Sequence, residues 1–151
     1  MSIHDRLRAH GITLPPAAAP VASYQPVMVD GHTAYVSGQL PFIDGKLVTG
    51  KLGEDIALDR GIAAARACGL MILSQLEAAG LIERVAHMVK LGGFVASIPD
   101  FFDQPKVING ASDLMVSAFG PTIGQHSRFA VGVTSLPLGV AVEVDATFKI
   151  N

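Results

Sequence analysis

The sequence predicts an α+β domain, a mixed β-sheet with two helices packed on one face. Three features carry this expectation: β-branched runs near both ends of the chain, two long segments with helical spacing between them, and glycine-containing turn signals separating the runs. With 151 residues, half of them apolar, the chain suffices for one sizeable core.

Each element follows from local pattern. The opening "MSIHDRLRAHGITLPPAAAP" reads as a short helix and then an extended segment, since Pro15, Pro16 and Pro20 forbid regular helix. Residues 1–20 are therefore expected to form an N-terminal arm and residues 21–151 the domain. Next, "VASYQPVMVDGHTAYVSGQL" gives two strands around a hairpin signal at Asp30 and Gly31, and Asp44-Gly45 marks a second turn. From about Asp59 to Ala79 a helix is expected, with Ile62, Ala65, Gly69, Leu73 and Leu76 on its apolar face and Gly80 as its stop. "RVAHMVKLGGFVAS" returns to strand, its Gly92-Gly93 pair marking a bulge or a close backbone approach. A second helix starts near Asp103, with Pro105 in its first turn, and buries Val107, Ile108, Ala111, Leu114, Met115 and Ala118. Two strands around Leu136-Pro137 close the chain.

Composition narrows the function classes. Eleven basic against thirteen acidic residues leave a formal charge of −2, a field that gathers neither nucleic acid nor an anionic membrane. No apolar span is long enough for a bilayer and the N-terminus carries charges throughout, so the expected address is the cytoplasm. The lone Cys68 sits in an apolar helix pattern and reads as a core residue. The five histidines show no ligand spacing, so no metal site is expected. So apolar a chain with so little charge is expected to hide part of its surface against copies of itself.

Three charged residues stand out in the final strands. Alternation sets Glu143 and Asp145 opposite the apolar Val142, Val144, Ala146 and Phe148, and it puts Arg128 on the side of the small residues Ala130 and Gly132. Arg128 fits two readings at this point: a structural ion pair with Glu143 or Asp145, or a guanidinium fork open to a ligand carboxylate.

The segments "SYQPVMVDGHTAYVSGQLP", "INGASDLMVSAFG" and "SRFAVGVTSLPLGVAVEVDATF", with the spacing R-x7-LP-x5-E, together resemble the Rid family, also known as YjgF/YER057c/UK114. The long arm and "QPKVINGASDL" resemble its longer RidA-like, endoribonuclease L-PSP branch. The resemblance implies a chorismate-mutase-like subunit, a homotrimer with ligand sites between subunits, and hydrolysis of reactive 2-imino or enamine acids, of the 2-iminobutanoate and 2-iminopropanoate type, to 2-oxo acids and ammonia without any cofactor. It further implies that Arg128 pairs with the substrate carboxylate, Gly38 supports it through its backbone N–H, Glu143 positions or activates the water, and Tyr24 lines the cleft, with Ser37 and Asn109 at further positions of the motif. Gln125, Phe129 and Ala130 depart from the family's usual residues and bear on the pocket's shape. Two alternatives stay open beside the deaminase: a module that binds a small carboxylate without turnover, and an endoribonuclease.

Overall fold

The structure is a computed structural model and describes residues 1–20 and 22–151. The expected boundary between arm and domain falls at Val21, outside the described residues. The elements run α1 (Ile3–Ala9), β1 (Val27–Asp30), β2 (Thr33–Gln39), β3 (Phe42–Ile43), β4 (Lys46–Leu47), α2 (Leu58–Ala78), β5 (Val85–Ala96), α3 (Gln104–Ile123), β6 (Ser127–Val133) and β7 (Val142–Ile150). Short 3-10 turns at Ile82–Arg84 and Pro137–Gly139 lead into β5 and β7.

Five strands form one sheet in the order β1-β2-β7-β5-β6, and β3 and β4 make a separate hairpin. β5 and β6 are parallel while the other neighbours in the main sheet are antiparallel, so the sheet is mixed as expected. The parallel step requires a crossover, and α3 is that crossover. It covers the same face as α2, with Gly93 of β5 under Ile108 and Gly69 of α2 against Ala111 and Leu114. Among the described residues, no helix covers the other face of the sheet. β7 lies in the middle and shows the cleanest alternation: Val142, Val144, Ala146, Phe148 and Ile150 are buried beneath the helices, while Glu143, Asp145, Thr147 and Lys149 point away.

α2 lies within a residue of its expected limits and α3 starts within a residue of Asp103. Gly80 ends α2 with φ +70°, and the Leu81 N–H returns to the Leu76 carbonyl at 2.8 Å, a Schellman closure that glycine makes without strain. The Gly120-Pro121 step kinks α3 near its end, where Gly120 takes φ +91°. Of the two hairpin signals, Asp44-Gly45 forms its turn as expected, both residues having positive φ. The first shifts by one residue: Asp30 pairs with Thr33, which leaves Gly31-His32 as the turn, with positive φ only at Gly31. At Gly92-Gly93 the register with β7 is continuous, so the pair is a close approach and not a bulge. Gly92 makes room for Asp145 and Phe129, and Gly93 for Ile108.

The first twenty residues pack on the helices. Ile3, Leu7 and Ile12 join the core, and α1 lies on α3. The extended segment after it runs along α2, where Ser74 Oγ donates to the Pro15 carbonyl and Gln75 Nε2 to the Ala18 carbonyl, each at 2.7 Å.

The tightest helix contact is at Gly110, where a Cβ would collide with the Ile62 carbonyl of α2. Gly110→Ala is expected to cost about 1–3 kcal/mol by forcing α2 and α3 apart. Urea denaturation at fixed protein concentration checks this, with an unchanged midpoint counting against the contact.

Candidate functional site

The helix-free face holds the first group of candidate residues. Between the pairs Val36 with Ala146 and Gln39 with Val144, two residues of β2, Ser37 and Gly38, stand against Asp145 alone. This bulge turns the β2 backbone next to Glu143. The Glu143 carboxylate lies over Gly38 so closely that any Cβ there would overlap it. With the carboxylate in this position, only glycine leaves it room. Gly38, Glu143, Tyr24, Ser37, Ala22, Leu40 and Pro137 line an open cleft of about 560 Å³. Tyr24 sits in the bend before β1 and not in a strand, with its side chain at the cleft. Ser37 faces the loop that carries Tyr24: its Oγ donates to the Gln25 carbonyl at 2.7 Å and its N–H to the Pro26 carbonyl at 2.9 Å. A smaller cavity of about 30 Å³ adjoins the cleft through Tyr24, Gly38 and Leu40, closed behind by Ala18, Gln39 and Gln75. It has room for one water.

Two carboxylates share this face. Partial burial raises the Glu143 pKa, and the neighbouring charge of Asp145 raises it further. Burial also raises Asp145, opposed by the Gly92 backbone N–H and the Lys90 charge. Beside them Phe129 meets Phe94 edge-on, with centroids 5.2 Å apart, and the Lys90 ammonium stands 5.5 Å from the Phe129 centroid.

Arg128 lies on the opposite face. It pairs with Leu91, a core residue, whereas its neighbour Phe129 pairs with Gly92 and so shares the open face with Asp145. The Arg128 guanidinium runs along α3, donating from Nη1 to Ser112 Oγ at 3.0 Å and from Nη2 to the Pro105 carbonyl at 3.1 Å. Asn109 is exposed between these two anchors in the helix sequence, four residues after Pro105 and three before Ser112. A cross-strand ion pair with Glu143 or Asp145 is ruled out, because alternation sends the charges to different faces of the sheet. Beside the small residues of β6, Gln104 of α3 and Ser97 after β5 stand against Gly132, and the three border an open cleft of about 390 Å³ near the end of the strand.

The chain therefore carries two groups. Tyr24, Ser37, Gly38 and Glu143 come together on the open face, and Arg128 and Asn109 belong to the edge of β6 and α3. The two groups do not meet within the chain. Sequence reasoning missed Ser112 and the Pro105 carbonyl, which hold the arginine; helical spacing from Asn109 is the one signal that points to them. The His126 ring bonds to Ser112 Oγ at 2.9 Å and to the Gly124 carbonyl at 2.7 Å. Among the described residues no cluster of three or more His, Cys, Asp or Glu side chains could hold a metal ion, and no helix is long and apolar enough to cross a membrane.

Comparison with known proteins gives a consistent assignment. The sequence model described as "YjgF/chorismate mutase-like, putative endoribonuclease" matches residues 4–146. Protein TCP17 of Trypanosoma cruzi is 50% identical over 147 residues, 96% of this chain and 92% of that protein. The crystal structure of Atu1372 from Agrobacterium tumefaciens, a protein described as of unknown function, has a TM-score of 0.90 and 44% identity, covering 99% of this chain and 92% of the other. A "putative endoribonuclease" from Shewanella oneidensis has a TM-score of 0.93 and 32% identity, covering 99% and 100%. By the match over nearly its whole length and by its mixed-sheet fold, the chain belongs to the YjgF/chorismate mutase-like family, the Rid family that its sequence motifs resemble.

Proposed function

We propose that the protein is a hydrolytic deaminase of reactive 2-imino and enamine acids, of the 2-iminobutanoate and 2-iminopropanoate type, working as a homotrimer whose sites are completed between neighbouring copies. The observation that carries this reading is the division of the candidate residues into two complementary halves. A guanidinium braced on α3 offers the rest of its N–H fork to an anion, and a carboxyl with raised pKa overhangs a glycine in an open cleft. Neither half is a site for an imino acid by itself. Two copies placed with the β6 edge of one at the cleft of the next supply both, which also suits a sheet face that carries no helix.

In this arrangement Arg128 of one copy and the Gly38 N–H of the other hold the substrate carboxylate, with Tyr24 and Asn109 lining the remaining walls. Water adds to C2 of the iminium while Glu143 takes one of its protons. The same proton passes to the nitrogen of the tetrahedral adduct, the C–N bond breaks, Glu143 takes the hydroxyl proton as the 2-oxo group forms, and that proton then leaves with the ammonia as ammonium. Glu143 ends as it began, and the net reaction consumes one water per ammonia. An iminium carbon is already electrophilic, so orientation and one base are sufficient and no cofactor takes part.

The relatives named as endoribonucleases suggest an RNA substrate, but Glu143 and Asp145 on the open face and a net charge of −2 would repel a phosphate backbone. Binding of a small carboxylate without turnover is the reading that the assay below separates.

Ammonia release from freshly generated 2-iminobutanoate is expected in the wild type, with Glu143→Gln lowering kcat by about 10²-fold or more while 2-oxobutanoate still binds. Arg128→Ala is expected to abolish that binding. A wild type that binds 2-oxobutanoate yet releases no ammonia faster than buffer would establish the carboxylate-binding module instead.

The direction of the Glu143 shift gives two further expectations. The base must be ionised, so kcat/KM should rise with pH through a value above the ordinary glutamate range, and this limb should vanish in Glu143→Gln. For stability, a carboxyl whose pKa is higher folded than unfolded favours the folded state while protonated, and that advantage is lost as pH rises through the folded value. Glu143→Gln should therefore melt above the wild type at neutral pH, and the difference should disappear below the unfolded carboxylate range. A gap that persists at low pH would assign the effect to packing.

A further inference from the structure

We propose that Ser112 and His126 are positioning residues for Arg128, forming with the Gly124 carbonyl a directed hydrogen-bond chain that holds the guanidinium ready for a carboxylate. This rests on the function proposed above and adds to it two residues to which the sequence reading gave no role.

The direction of the chain follows from what each group can do. The Gly124 carbonyl can only accept, so His126 Nδ1, 2.7 Å away, carries a proton. In the neutral ring Nε2 is then the acceptor, and the hydroxyl of Ser112, 2.9 Å away, donates to it. With its proton committed to the histidine, Ser112 Oγ presents lone pairs to Arg128 Nη1 at 3.0 Å. The second anchor, the Pro105 carbonyl at 3.1 Å, restrains the other terminal nitrogen. Without Ser112 the guanidinium would keep one anchor and regain rotamers.

Sequence placement supports a shared purpose. His126 stands two residues before Arg128, where β6 begins, and Ser112 lies on the α3 turn beside Asn109. The chain thus ties the end of α3, the start of β6 and the middle of α3 to one side chain. Gly124 packs closely on the helix, since a Cβ there would run into the backbone of Met115, Val116 and Gly120, and its N–H donates to the Gly120 carbonyl at 2.9 Å.

The consequence is preorganisation. A clamp side chain that must be ordered on binding loses affinity by the cost of fixing its rotamers, about two- to tenfold for one long side chain. Ser112→Ala should raise the Kd for 2-oxobutanoate, measured by titration calorimetry, by that factor, and should raise KM for the imino acid in parallel with kcat held within about twofold. His126→Ala should act in the same direction. The double variant should be no worse than the worse single one, because both remove the same restraint. Ser112→Thr, which keeps the hydroxyl, should restore the wild-type Kd. The ¹⁵N resonances of His126 should report a protonated Nδ1, with the Nε2 signal moving in Ser112→Ala.

The inference is overturned if Ser112→Ala, folded with an unchanged melting temperature, binds 2-oxobutanoate as the wild type does while Arg128→Ala does not. It is also overturned if Ser112→Ala lowers kcat alone. If Arg128→Ala itself retains binding, the carboxylate clamp and the proposed function fall together with it.

Discussion

The alternation of β7 governs how this protein divides its chemistry from its core. Because successive side chains leave a strand on opposite sides, the same nine residues, Val142–Ile150, seal the floor of the helical layer and set Glu143 and Asp145 on the helix-free face. A slip of one residue would bury both carboxylates beneath α2 and α3 and turn the valines outward. Register is held on one side by the long pairing with β5 and on the other by β2. The single interruption on the β2 side, the Ser37-Gly38 bulge, occurs where the carboxylate needs room.

The same rule separates Arg128 from Glu143. β6 follows β5 in parallel, so Arg128 takes the face of Leu91 and Phe129 the face of Gly92. The arginine is then braced by α3, the crossover helix that the parallel pairing itself demands. A group of residues that sequence motifs place together is thus distributed over two surfaces that one copy of the chain cannot bring into contact. The proposed assembly resolves this by using the two surfaces as complementary halves.

Much of the layout was legible in the sequence because it rests on local chemistry. Gly80, Asp44-Gly45 and the apolar stripe of α3 specify a helix stop, a hairpin turn and a buried face with little help from tertiary structure. The first hairpin shifted by one residue because Gly31 tolerates the required positive φ in either turn, and pairing between Asp30 and Thr33 decided between them. The candidate residues were legible by motif, yet their arrangement was not. Whether Arg128 meets Glu143 depends on the facing of two strands that are not neighbours, and no local pattern encodes that. Ser112 and His126 were hidden for the same reason: the contact between the middle of α3 and the start of β6 is set by how the helix packs on the sheet.

The central claim, that Arg128 of one copy works with Glu143 of another, is tested most directly by mixing two inactive variants. Arg128→Ala and Glu143→Gln, unfolded together in equal amounts and refolded, should form mixed oligomers in which about a quarter of the junctions keep both wild-type groups. The account predicts recovery of imine hydrolysis to about that fraction of the wild-type rate, with neither variant active when refolded alone. Activity that stays at the sum of the two separate variants, in oligomers shown to have mixed, would contradict it.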